Sequence, residues 1–211
     1  MGQTVGMSAP SPRRPGRPIG GQLVIDRDHV LDAAERVIKR DGPGASLESV
    51  AVEAGVTKPI VYDRVGGRAE LADALAERLS DRMLEATEDA IAGETLNQAS
   101  LSRLVRANLL AVAKDRELFL YVTGGNTEQT AIGRLSLAER STTPLAKTLA
   151  VWRKSQGFDP KVADAWSFAI VGMLQMISVW WISQPERAVD EVADQISDLM
   201  WNGLQGPRSS L

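Results

Sequence analysis

The 211-residue chain carries 24 lysines and arginines against 27 aspartates and glutamates, a formal net charge of −3, and 44% hydrophobic residues. That balance is ordinary for a globular protein of one domain or two small ones, long enough to bury a core. The chain has no cysteine and one histidine, which excludes a disulfide framework, a thiolate metal site and a cysteine nucleophile and fits a reducing cytoplasm.

Residues 1–25 read as a flexible basic arm. In SPRRPGRPIGG, residues 11–21, Arg13, Arg14 and Arg17 sit among prolines and glycines, and the nearest acidic residue is Asp26. The prolines keep the arm extended and the glycines leave it mobile. No apolar run follows its charges, so it is not a signal peptide.

From there the chain reads as helix after helix. Val30, Ala34, Val37 and Ile38 recur at helical spacing, and DGPG (residues 41–44) stops that first helix. Ser46 caps a short helix through about Ala54, with Glu48 in its first turn and Gly55 as the left-handed residue that closes it. Thr57 caps another short helix with Pro59 in its first turn, and VGG (residues 65–67) ends it. A long helix follows from Arg68 to about Ala92, with Leu71, Leu75, Leu79, Met83 and Ala86 on one face. Further helices are expected near Ser100–Lys114, Glu117–Thr123, Pro144–Gln156, Pro160–Ser183 and Arg187–Leu204, with 124–143 the least defined stretch. The tail, residues 205–211, reads as disordered.

The uncharged run from Ala165 to Pro185 meets the length rule for a membrane span. Gln175, the serines within it and the mixed charges at both ends argue instead for a buried core helix, with no membrane partner.

The pair of short helices is the most informative feature. Two helices joined by a tight glycine turn pack steeply only over a small core, which Leu47, Val50, Ala51, Ala54, Val56 and Val61 supply. A helix-turn-helix fits, with its second helix entering the major groove N-terminus first. A plain helical hairpin with solvated charges also fits that spacing. The free N–H groups, the Thr57 hydroxyl and the Lys58 ammonium at the second helix's start suit phosphate oxygens, and Tyr62, Arg64 and Arg68 add donors.

SLESVAVEAGVTKPIVYDRVGGRAEL, Ser46 to Leu71, resembles the DNA-binding module of the TetR (tetracycline-repressor) family of bacterial regulators. Ser46, Ala54, Gly55, Val56, Thr57, Tyr62, Glu70 and Leu71 match that family's pattern. Three residues depart from it: Val65 replaces an aromatic, Gly67 a side-chain cap, and Arg68 a lysine. The resemblance implies phosphate contacts from Thr57, Lys58, Tyr62 and Arg68, and base contacts around Lys58, Pro59 and Ile60. Many members carry a similar basic arm, and GRP resembles the core of AT-hook peptides. Arg13, Arg14 and Arg17 are therefore expected in the narrow, A·T-rich minor groove beside each half-site. The whole expected DNA-binding set is Arg13, Arg14, Arg17, Ser46, Thr57, Lys58, Pro59, Ile60, Tyr62, Arg64 and Arg68.

The C-terminal region reads differently. The helix from Pro160 is apolar nearly all round, so one face packs on its own domain and another on a partner, together with the last helix. A four-helix homodimer interface follows, with Gly172 permitting close approach. Phe119, Tyr121, Trp152, Trp166, Met173, Met176 and Trp180 form an apolar set suited to a pocket for a hydrophobic effector, with Gln175 and Ser178 as its polar contacts. For each aromatic taken singly, core filling is the simpler reading.

Catalysis has little support. His29 stands near the start of the first helix, the acidic pairs are adjacent and point to different faces, and no phosphate loop or metal-ligand cluster emerges. The sequence therefore predicts an all-α, cytoplasmic, homodimeric regulator without catalytic residues, metal or cofactor. Residues 26–70 form its helix-turn-helix domain and residues 71–204 its ligand-binding and dimerisation domain. Its partners are a palindromic duplex operator and an effector that releases the protein from it. A helical carrier or adaptor without sequence-specific DNA binding is the alternative.

Overall fold

The computed structural model of the chain describes residues 26–90, 92, 95–123 and 131–205. Asp26 opens the first helix: its carboxylate accepts the His29 backbone N–H at 2.9 Å, and α1 runs Arg27–Asp41. A short 3-10 turn, Gly42–Gly44, leads to α2 (Leu47–Ala54), α3 (Lys58–Val65) and the long α4 (Arg68–Ala90). Then come α5 (Gln98–Lys114), α6 (Arg116–Thr123), α7 (Ala131–Ser155), α8 (Ala163–Ile182) and α9 (Val189–Gln205). No strand occurs among the described residues, so the all-α expectation holds.

Several boundaries differ from the sequence reading, those of α7 and α5 among them. Helix α7 begins at Ala131, and Pro144 lies inside it. A proline removes one N–H donor and crowds the carbonyl four residues back, but it does not forbid helix on its N-terminal side. Helix α5 begins earlier than Ser100 because Asn97 and Ser100 cap one another. The Asn97 side chain accepts the Ser100 N–H at 2.9 Å, and the Ser100 hydroxyl accepts the Asn97 N–H at 2.8 Å.

Burial divides the side chains into two cores. The first joins Val30, Val37 and Ile38 of α1, Val50 and Ala51 of α2, Val61 and Val65 of α3, and Leu71, Leu75 and Leu79 of α4. It runs on without a break into Leu118, Phe119 and Tyr121 of α6. The second joins Leu101, Val105 and Leu109 of α5 to Leu149 and Trp152 of α7, Ile170 and Leu174 of α8, and Val192, Ala193 and Met200 of α9. Each fully buried valine, leucine or isoleucine among them contributes about 1.5–3 kcal/mol.

Polar pairs set the helix registers around these cores. Arg78 of α4 reaches Asp28 and Asp32 of α1, each at 2.7 Å, and Arg82 reaches Glu35 at 2.8 Å. Helices α5 and α9 run antiparallel, with Gln98 on Asp198, Ser102 on Asp194 at 2.6 Å, and Arg106 on Asp190 at 2.5 Å. The partners step by one helical turn on each side, so one facing stripe meets another.

Helix α8 is apolar enough and long enough to cross a membrane by composition. One side packs into the second core through Ile170 and Leu174, while Phe168, Met176 and Trp180 stand exposed.

Candidate nucleic-acid interface

The first core holds α3 in place by its inner face alone. Val61 and Val65 are buried, whereas Lys58, Pro59, Ile60, Tyr62, Asp63 and Arg64 are exposed. The turn before it depends on Gly55, at φ 67 and ψ 30, whose N–H closes α2 against the Ala51 and Val52 carbonyls. Ser46 caps α2 as expected, its hydroxyl accepting the Ser49 N–H at 3.1 Å. That hydroxyl is therefore already engaged, and only its remaining hydrogen-bonding capacity can serve a phosphate.

Thr57 sits at the N-cap of α3 in extended backbone, yet its side chain makes no capping bond. The start of α3 thus presents the Thr57 hydroxyl and the Lys58 ammonium together, but not the free N–H groups expected from the sequence, because Pro59 has none and the Ile60 N–H is taken by the Thr57 carbonyl at 3.0 Å. Lys58 is half exposed and lies 3.6 Å from Glu48, and Arg64 lies 3.2 Å from Asp63. Both pairs are solvated and hold their cations only weakly. The side chains named for DNA from Thr57 to Arg64 share one exposed helix and its cap.

Arg68 behaves otherwise. Its guanidinium donates to the Ala45 carbonyl at 2.9 Å and the Pro43 carbonyl at 3.0 Å, and it lies 5.1 Å over the Tyr121 ring. Its fork is turned toward the protein, unlike the cations of α3. The other two departures from the family pattern have local explanations. Val65 is buried and fills its share of the core. At Gly67 the missing cap is supplied from the other side, by Glu70 accepting the Gly67 N–H at 2.9 Å. Arg13, Arg14 and Arg17 lie outside the described residues.

Sequence reasoning missed two braces of this module. The His29 ring donates from Nε2 to the Ala54 carbonyl at 3.0 Å, tying α1 to the end of α2. Glu53 accepts from Arg36 at 2.8 Å and Arg40 at 3.0 Å, and these bonds hold its carboxyl below the usual glutamate range. Neither has a signal in spacing, because each joins separate helices.

The apolar set expected to line one pocket is divided. Phe119 and Tyr121 belong to the first core, because α6 lies against α1 and α4. Trp152, Trp166 and Met173 belong to the second. Gln175 is exposed, Met176 is 66% exposed and Trp180 39% exposed, all on the outer side of α8. This corrects the single-pocket expectation. Ser178 is fully buried and receives a hydrogen bond from Asn108 of α5 at 3.1 Å, a partner the sequence did not reveal. An open groove of about 430 Å³ between α5 and α9 is lined by Gln98, Ala99, Ser102, Asp194, Ser197 and Asp198, and holds none of the aromatic residues named for an effector.

Comparison with known proteins agrees with this geometry. Residues 30–75 match the family described as bacterial regulatory proteins, tetR family. An uncharacterized HTH-type transcriptional regulator of Mycobacterium tuberculosis is 27% identical over 185 residues, covering 85% of this chain and 77% of that one. A TetR-like transcriptional regulator from Rhodococcus sp. RHA1 is similar in structure at a TM-score of 0.58 and 26% identity, covering 85% of this chain and 96% of the other. The fatty acid degradation regulator FadR from Bacillus halodurans shares the fold at a TM-score of 0.66 and 20% identity, with 89% and 99% of the two chains covered.

Proposed function

Since this chain belongs to the TetR family of bacterial transcriptional regulators, we propose that it is a cytoplasmic repressor that grips a palindromic operator as a homodimer and lets go when a hydrophobic small molecule binds. The observation that carries the DNA half is the outward face of α3, where Thr57, Lys58, Pro59, Ile60, Tyr62 and Arg64 stand together in solvent. Thr57, Lys58, Tyr62 and Arg64 take phosphates, and Pro59 and Ile60 offer apolar surface to base edges such as the thymine methyl. The arm residues Arg13, Arg14 and Arg17 follow the flanking minor groove. Residues 26–70 act as the reading head and residues 71–204 as the sensing and pairing domain.

The homodimer is supported by the outer face of α8 and α9. Phe168, Met176, Trp180 and Leu199 are exposed there, and a second copy covers them in a four-helix contact. An isologous contact of this kind sets two reading heads a fixed distance apart, about 34 Å for half-sites one DNA turn apart. The effector then acts by favouring a different spacing. A 1.4 kcal/mol preference for that state shifts occupancy about tenfold. Trp152, Trp166 and Met173, which share the second core, are the sequence-named residues best placed to meet it.

Selection of duplexes from a genomic fragment pool, followed by affinity measurements across salt concentrations, tests the proposal. The recovered site should be palindromic, and Lys58→Ala should weaken all duplexes alike and flatten the salt dependence by about one unit of slope. Binding without sequence preference or salt dependence would favour the carrier or adaptor reading.

A further inference from the structure

The reading head meets the rest of the molecule along the first core and through the Arg78 and Arg82 ion pairs, and at one further polar cluster. The carbonyls of Pro43 and Ala45 stand in the turn just before α2, and Arg68 is the first residue of α4. Its two terminal nitrogens each donate to one of those carbonyls. Beneath the same guanidinium lies the ring of Tyr121, which is 7% exposed and belongs to α6. The turn also lies beside α6 at Gly42, where an added Cβ would sit 3.4 Å from a Glu117 carboxylate oxygen, an ordinary contact. One side chain at the start of α4 therefore joins the α1–α2 turn to the first core's last helix.

A planar guanidinium suits this place and an ammonium does not. Its fork spans two carbonyls in fixed directions while its face rests on an aromatic ring. The Tyr121 phenol reports the contact: burial pushes its pKa up, and the adjacent Arg68 charge works against that rise.

The geometry points to Arg68 as a positioning residue that clamps the α1–α2 turn to Tyr121, so that the placement of α6 sets the pose of the recognition helix on DNA. It acts through α2 and α3 rather than by holding a phosphate. The inference rests on the DNA-binding function proposed above. Movement of α6 reaches the reading head by this route, because the turn cannot follow α2 without also dragging the ring contact.

The test compares Arg68→Lys, Arg68→Gln, Tyr121→Leu and Tyr121→Phe in the full chain, each checked for native helicity, on the duplex recovered by selection. Arg68→Lys and Tyr121→Leu should each weaken binding about tenfold, and their double variant should be no weaker than either alone. Tyr121→Phe keeps the ring and should bind as the parent does. The salt slope of Arg68→Gln and of Tyr121→Leu should equal the parent's, in contrast to Lys58→Ala. A second readout needs no DNA. The chain has two tyrosines, so Tyr62→Phe leaves one phenol, and adding Arg68→Gln should raise its titration midpoint. An Arg68→Gln slope about one unit flatter, with Tyr121→Leu binding normally, would make Arg68 a phosphate ligand and overturn the clamp. An unmoved phenol titration would overturn it as well. A parent protein that binds no duplex would instead remove the DNA-binding function, while the titration still decides whether the cation and ring are in contact.

Discussion

The two cores of this molecule share an aliphatic centre and differ in how much tryptophan and methionine surrounds it. Around α1 to α4 the buried residues are chiefly alanine, valine, leucine and isoleucine: Val30, Ala34, Val37, Val50, Ala51, Val61 and Leu75. Around α5 and α7 to α9 the buried residues are also mostly aliphatic, but Trp152 and Met200 are among them and Trp166, Trp181, Trp201 and Met173 pack partly buried against them. Small, stiff side chains allow short helices to cross closely in one arrangement, which a reading head of fixed shape requires. Large aromatics and flexible methionines fill irregular space, and methionine repacks at low cost. The first region is thus built to hold one shape, and the second to tolerate more than one.

The sharpest way to break that contrast is to cut matching holes. Leu75 is fully buried, and Leu75→Ala should cost about 2–5 kcal/mol in urea denaturation and abolish duplex binding. Met200→Ala, in the second core, should fall at the low end of that range because its neighbours can close in. Equal losses at both sites would mean that the two cores are equally rigid.

The outer face of α8 offers the next largest effect. Met176 is 66% exposed, so Met176→Glu should leave the isolated chain folded. Placed in the proposed dimer contact, the carboxylate should raise the dimer dissociation constant about a hundredfold, read by sedimentation equilibrium. An unchanged dimer would move the pairing surface elsewhere.

The reading head was legible in the sequence because its signals are local. Ser46 and Gly55 each fix a cap or a turn within four residues of themselves, and Thr57 stands at the N-cap position of α3 as expected although its side chain makes no capping bond. Gly55→Ala sharpens the point. A Cβ there would meet nothing within 4 Å, so the expected loss of about 1–2 kcal/mol is purely the cost of φ 67 for a residue with a side chain. The effector set was not legible, because composition names aromatic residues without saying which neighbours they face. Phe119 and Tyr121 were separated from Trp166 by the path of α6 against α1, a tertiary choice with no counterpart in spacing. Arg68 is the intermediate case: its charge was legible, but its direction depended on Tyr121 arriving from a distant helix.

The smallest expected effect lies on the surface of the rigid region, at Glu53. Hydrogen bonds from Arg36 and then Arg40 lower its carboxyl pKa in the folded protein. A carboxyl whose folded pKa lies below its unfolded one binds fewer protons when folded, so it stabilises the fold above the ordinary glutamate pKa. That contribution disappears as pH falls from the ordinary value through the depressed one. Both arginines stay charged throughout that window, while Asp41, which shares Arg40, titrates within it too, so only the difference between parent and Glu53→Gln isolates Glu53. Glu53→Gln should therefore lower the neutral-pH stability slightly and flatten the acid-side decline by the same small amount, since exposed pairs contribute little. The measurement is urea denaturation of parent and variant at matched pH values from neutral down through the glutamate range. Parallel pH profiles would show that the brace between α1 and α2 is held by the His29 bond to Ala54 and by packing, with the ion pairs adding nothing.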